Sequence, residues 1–201
     1  VATTASGKSA MADVHPLALG VFGNWGQAVA NEVVSAADAV LVVGSRLAPT
    51  DTCFENPELL DADRQTFVQI DVDPLNVGRH FPVAAAIVAD ARESLAALVA
   101  ELTPRLTSAK REAMARRRAH VAELKSLHRF FAEDGQRSDD VPLRPERVIT
   151  ELARRLDERA VVTMDAGANR LYMTHYFQCR GAGTVYQPSS IGGMGYALPA
   201  A

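Results

Sequence analysis

Three short aliphatic runs, each stopped by a turn residue and separated by stretches of helical periodicity, constrain this 201-residue chain more than any other feature. Val40-Leu-Val-Val43 stops at Gly44, Phe67-Val-Gln-Ile70 at Asp71, and Ala86-Ile-Val-Ala89 at Asp90. Runs of this length that do not alternate with polar residues read as strands covered on both faces, the pattern of a parallel sheet. Between them, Gln27 to Ala37 sets Val29, Val33 and Ala37 on one helical face, and Ala91 to Leu102 does so with Leu95, Leu98 and Leu102. Strand and helix in alternation predict an α/β layer fold with a parallel, Rossmann-like sheet.

The pattern changes at Thr103. From there to Asp134 the chain carries Lys110, Arg111, Arg116, Arg117 and Arg118, then Val121, Leu124, Leu127 and Phe131 at helical spacing. This reads as one or two amphipathic helices with a solvated basic face. Gly135 to Arg144, with Ser138, Asp139, Asp140 and Pro142, reads as a polar linker. Beyond it, Pro145 suits a first helical position, and Val148, Ile149, Leu152 and Leu156 share a face. A strand at Ala160–Met164 then ends at Asp165, and a helix is expected around Leu171–Phe177. The expected organisation is a central α/β domain over 1–134, with a trailing linker helix, and the start of a second α/β domain over 145–201.

Hydrophobic residues make up 48% and charged residues 22%, which excludes a disordered chain. A formal charge of -3 argues against nucleic acid as the main partner. Cys53 and Cys179 lie far apart without ligand spacing, so neither a disulfide scaffold nor a zinc site is expected, and a reducing, cytoplasmic compartment fits. No apolar run approaches the ~20 residues of a bilayer span. The chain opens on a strand-like Val1-Ala-Thr-Thr4 without Met and stops on Leu198-Pro-Ala-Ala201 without a helix-ending signal, so both ends read as cuts.

Several motifs have competing readings. Gly7-Lys8-Ser9 lacks the earlier glycine and the strand of a phosphate-binding loop, and that reading fails. Gly20 to Gly26 is a tight turn before a helix, or an anion-binding helix start. Asp73 before Pro74 reads as an N-cap. Asp71 and Asp90, each after a strand, are either loop carboxylates or acceptors for ribose hydroxyls. Asp165-Ala-Gly-Ala-Asn169 falls between strand and helix, where small residues open backbone amides to a diphosphate. Gly192-Gly193-Met194-Gly195 weakens any regular element by roughly 1 kcal/mol per glycine, which points to a group approaching that backbone closely.

At these last residues the sequence resembles the acetolactate synthase-like branch of the thiamine-diphosphate enzymes. Gly192-Gly-Met-Gly-Tyr-Ala-Leu-Pro-Ala-Ala201 matches a long family signature, and Asp165 to Asn169 match the turn that opens its diphosphate-binding domain. His15-Pro-Leu-Ala-Leu-Gly-Val-Phe-Gly23, Gly44-Ser-Arg46, Ile70-Asp-Val-Asp-Pro74 and Asp90 resemble its central domain, which here begins one strand late. The resemblance implies a thiamine-diphosphate- and magnesium-dependent homodimer or homotetramer that decarboxylates or ligates 2-keto acids. It implies Gly167, Ala168 and Asn169 at the diphosphate, backbone groups of Gly192 and Met194 at the aminopyrimidine with Gly193 between them, and the Met194 side chain beneath the folded cofactor. The activating glutamate belongs to an amino-terminal domain outside this sequence, and the magnesium ligands are expected beyond Ala201. In flavin-containing members, positions matching Arg46, Asp71 and Asp90 hold flavin adenine dinucleotide. Leu47-Ala-Pro-Thr50 departs from the charged residues that follow the arginine in those members. The competing class is a non-catalytic module that binds an adenine nucleotide or dinucleotide.

Overall fold

The computed structural model describes residues 1–188 and 191–201. It is an α/β structure, and every strand pair among the described residues is parallel. In chain order the strands are β1 (Ala2–Thr3), β2 (Gly20–Val21), β3 (Ala39–Val43), β4 (Thr66–Asp71), β5 (Ala85–Val88), β6 (Val162–Thr163) and β7 (Val185–Tyr186). They form the pairs β1-β2 and β6-β7 and one three-stranded sheet, β3-β4-β5. The helices are α1 (Ala28–Ser35), α2 (Ala91–Leu102), α3 (Ser108–Leu127), α4 (Pro145–Arg155), α5 (Ala168–Tyr176) and α6 (Ala197–Ala200). None of them is long and apolar enough to cross a membrane.

The described residues gather into two compact units, one of residues 32–121 and one of residues 1–31 with 122–201. The polar stretch 135–144 therefore lies inside the second unit. It contains part of a 3-10 turn, Asp134–Arg137, tied down by Gln136, whose side chain accepts from the Glu133 amide at 2.8 Å.

In the 32–121 unit the three aliphatic runs are the three strands of the sheet. β3 meets β4 with Val40 opposite Phe67, and β4 meets β5 with Ile70 opposite Ile87. Val42, Phe67 and Ile70 are buried, and the Phe67 ring stacks on Phe81 at 5.2 Å. β5 departs from the expectation of a covered strand, since all four of its residues are exposed. α2 has the bounds that the periodicity predicts, but Leu95 and Leu102 are exposed and Ser94 is the buried residue. Its amino end is fixed by Asp90, whose carboxylate accepts from the amides of Arg92 and Glu93 at 2.9 and 3.1 Å. Periodicity located this helix correctly and its buried face wrongly, because the side packed inward carries a serine.

In the other unit, α4, β6, α5 and β7 enclose Ile149, Met164, Met173, Phe177, Cys179 and Val185. Pro145 starts α4 at its first turn, as expected. Burial pushes the Cys179 thiol up to about 12, with Lys8 opposing and Asp13 adding to the effect. That sulfur is a packing atom, not a nucleophile. Residues 5–13 are stitched to this core over a long sequence separation. Ser9 Oγ accepts from the Val185 amide at 3.0 Å, and its carbonyl accepts from the Gly183 amide at 2.7 Å. The Asp13 amide donates to the Cys179 carbonyl at 2.7 Å, while Asp13 Oδ2 accepts from the Cys179 amide at 2.8 Å. Lys8, 3% exposed, lies 3.5 Å from Asp13 Oδ2 and 5.5 Å from the centre of the Phe131 ring. At the end of α3, Lys125 Nζ donates to the carbonyls of Ala18 and His15 at 2.9 and 3.3 Å.

Candidate functional site

The turn after β6 is organised by one carboxylate. Asp165 accepts from the Ala166 amide at 2.9 Å, from the Gly195 amide at 2.9 Å through each oxygen, and from the Tyr196 amide at 3.3 Å. The Ala166 amide, then those of Gly195, Tyr196 and Ala197, hold its carboxyl below the usual carboxylate value against the opposing effect of desolvation. Two motifs that are about thirty residues apart thus meet at a single side chain. Thr163 reinforces the junction by donating its hydroxyl to the Ala197 carbonyl at 2.9 Å.

On one side of this junction, Gly167 precedes α5 with a φ of 123°, a backbone state that side chains other than glycine's rarely accept. Gly167, Ala168 and Asn169 are exposed, and Asn169 Nδ2 donates back to the Asp165 carbonyl at 3.3 Å. The amides of Ala168 and Asn169 belong to the first helical turn, where an α-helix leaves its N–H groups without internal partners. An anion is the natural occupant of such amides.

On the other side stands the glycine cluster. Gly192 and Gly195 have φ values of 69° and 84°, so the turn itself requires them. Gly193 has no such need, and a side chain there would meet nothing within 4 Å. The crowding that the glycines implied does not come from the described residues. Met194 is 89% exposed, which removes it from any core among the described residues.

Asp71 is the last residue of β4, and Arg46 and Asp90 follow the carboxyl ends of its neighbours β3 and β5. Arg46 is exposed. Asp71 is buried, and its Oδ1 accepts from the Asp73 amide at 2.9 Å and from the Asn76 side chain at 3.4 Å. Asp90 is the N-cap described above. Asp73 caps the turn Pro74–Asn76 as the sequence predicts, accepting from the Leu75 amide at 2.9 Å. Sequence reasoning missed Gln69, a buried polar side chain inside β4. It donates to the carbonyls of Ser45 and Asn76, both at 3.0 Å, and accepts from the Gly78 amide at 2.8 Å. The one signal was a glutamine interrupting an apolar run. Asp165 was read as part of a motif, but its linking role was not. Among the described residues no three His, Cys, Asp or Glu gather where they could hold a metal ion.

Exposed helix-start amides joined to a glycine-flanked methionine in one unit, and a parallel sheet that ends in acidic turns in the other, agree with the comparisons to known proteins. Residues 1–98 match the family described as thiamine pyrophosphate enzyme, central domain. The chain's similarity extends over its whole length to the acetolactate synthase-like branch of these enzymes. A probable acetolactate synthase large subunit of Methanocaldococcus jannaschii is 30% identical over 100% of this chain and 33% of its own length. The pyruvate oxidase of Lactiplantibacillus plantarum is 27% identical over 99% of this chain and 31% of its own. The sulfoacetaldehyde acetyltransferase of Alcaligenes xylosoxydans xylosoxydans is 27% identical over 92% of this chain and 34% of its own. The chain thus spans about a third of the length of the curated relatives it matches. The non-catalytic nucleotide module is not favoured beside relatives that are named as enzymes.

The Asp165 junction makes a direct prediction. Its depressed carboxyl stabilises the docked segment at every pH above the unfolded value, and that contribution disappears only as acid titrates the still lower folded value. Asp165→Ala should therefore raise hydrogen exchange at Gly195 and Tyr196 at neutral pH, whereas wild type should show the same loosening only below the ordinary aspartate range. Unchanged exchange in the variant would mean that other contacts hold residues 191–201.

Proposed function

We propose that this chain is the central domain and the opening of the cofactor domain of a thiamine-diphosphate- and magnesium-dependent enzyme acting on 2-keto acids, as a decarboxylase or carboligase. The observation that carries this reading is the Asp165 carboxylate, which holds the Gly192–Gly195 turn beside the start of α5. Free amides on one side and an uncovered methionine on the other fit a ligand with an anionic end and a planar end. Bound thiamine diphosphate supplies the electron sink for breaking the bond between the keto carbon and the carboxylate carbon. Gly167, Ala168 and Asn169 hold its diphosphate through backbone amides. Backbone groups of Gly192, Gly193 and Met194 orient its ring end, and the Met194 side chain supports it. Magnesium completes the diphosphate site through residues outside these 201. The complete protein acts as a homodimer or homotetramer, and its cytoplasmic placement fits two free cysteines.

The test is carbon dioxide release from pyruvate and a panel of short 2-keto acids by the complete protein. Release should require both thiamine diphosphate and magnesium, and this 201-residue chain alone should give none above a blank. Failure of every 2-keto acid, or turnover by the chain alone, would overturn the assignment.

The carboxyl edge of the three-stranded sheet is proposed as an adenine-nucleotide site through Arg46, Asp71 and Asp90. Calorimetry with ADP should detect binding that Arg46→Ala weakens. A colourless purified protein would leave ADP and remove flavin, and the absence of ADP heat would remove the site.

A further inference from the structure

α3 carries charge that the cofactor site does not use. At 100° per residue, Lys110, Arg111, Arg117 and Arg118 fall within an arc of about 120°, with Met114 near its middle. All four are exposed and Met114 is half-buried. Arg111, Arg117 and Arg118, and Arg116 beside them, make no ion pair or side-chain hydrogen bond among the described residues. In the same unit Arg64 and Arg105 each meet a carboxylate. Arg129, Arg144, Arg147, Arg154, Arg155 and Arg159 each meet a carboxylate.

The same compact unit contains the opposite surface. Asp51 to Asp63 holds five carboxylates, Asp51, Glu55, Glu58, Asp61 and Asp63, and no lysine or arginine. Asp61 is paired with Arg64 and Glu55 with His80. Glu58 and Asp63 are exposed, and their carboxylates have no partner among the described residues. The segment also stands out in its backbone. Cys53, Phe54 and Glu55 have φ values of 54°, 60° and 59°, three successive left-handed residues. The turn is secured by Thr52, whose hydroxyl accepts from the Glu55 amide at 3.1 Å, so the acidic segment has a defined shape.

We propose that the Lys110, Arg111, Arg117 and Arg118 stripe is an interaction surface for the Asp51–Asp63 segment of a second copy of this chain. Charge complementarity selects this occupant, because one unit carries both a cationic stripe whose three arginines meet no carboxylate and an acidic segment whose exposed Glu58 and Asp63 meet no cation among the described residues. A pair related by a two-fold axis makes the contact twice. It is independent of the cofactor reading, since none of the proposed thiamine-diphosphate contacts lies in residues 32–121.

Sedimentation of the 201-residue chain at low salt and at about 1 M salt, where the screening length shrinks to about 3 Å, tests this directly. Self-association is expected at low salt and should be lost at high salt. Arg117→Glu with Arg118→Glu should weaken it at least about 10-fold, and so should Glu58→Lys with Asp63→Lys. Each doubly substituted chain repels itself, but a mixture of the two restores both contacts and should associate. All four positions are exposed, so circular dichroism should remain that of wild type. A chain that stays monomeric at low salt, or a mixture that fails to associate, overturns the proposal. So does a monomeric wild type that retards a single-stranded oligonucleotide through the same arginines, which would assign the stripe to nucleic acid.

Discussion

Replacing Asp13 by alanine is expected to destabilise the chain by about 3–5 kcal/mol, among the largest effects of any single substitution. Lys8 is almost completely buried, and its ammonium has no hydrogen-bond partner among the described residues. Its compensation is the Asp13 carboxylate at 3.5 Å and, more weakly, the Phe131 ring. Removing the carboxylate leaves a buried cation opposite an aromatic face and also deprives the Cys179 amide of its acceptor. Both losses occur at one place and add to one another. Changing both members, Lys8→Met with Asp13→Leu, should recover most of the loss, because an apolar pair of similar volume carries no desolvation penalty. Denaturant midpoints of the three variants provide the measurement. A loss below about 1 kcal/mol for Asp13→Ala would show that water reaches the ammonium.

In the complete protein, Met194→Ala should lower turnover about 10-fold or more, equivalent to ~1.4 kcal/mol in the barrier, while Met194→Leu should remain close to wild type. The side chain is 89% exposed and is carried on a turn whose glycines fix its backbone. Such a residue contributes shape to whatever lies against it, and leucine keeps most of that shape. The loss should fall on kcat, with the fold and the thermal midpoint unchanged, since no core among the described residues includes Met194. An alanine variant with normal turnover would make the methionine incidental.

The parts of this molecule legible in the sequence were those encoded locally. β3, β4 and β5 were readable because β-branched runs end at turn residues, and α2 and α4 because their apolar or capping residues recur at helical spacing. Of the two-residue strands, β1 and β6 lie in runs that read as strands, Val1–Thr4 and Ala160–Met164, whereas β2 and β7 were not readable, and neither was their pairing. Ala2–Thr3 pairs with Gly20–Val21 and Val162–Thr163 with Val185–Tyr186 through contacts that no short window contains. The polar residues that organise the interior were hidden for the same reason. Gln69, Lys8 and Asp13 are ordinary polar letters until their partners, up to 166 residues away for Asp13, come beside them. The motif at Gly192–Gly195 was visible, but the fact that Asp165 anchors it was not. The polar stretch 135–144 resembled a boundary by composition alone, and it lies within a compact unit.

The stitching of residues 5–13 to residues 179–187 has a consequence for anyone who trims this protein. Similarity to the family's central domain ends at Leu98, yet the first thirty-one residues gather with a stretch that begins after it, at Ala122. A recombinant piece cut to the homology boundary would release Ser9 from Val185 and Asp13 from Cys179. It would bare Leu19, Val21 and Phe22 and leave Lys8 beside a carboxylate with no shelter from water. A cut that respects the compact units would instead remove residues 32–121 as a block or leave them whole. The segment that matches the family's central domain is not, in this chain, either of the two compact units.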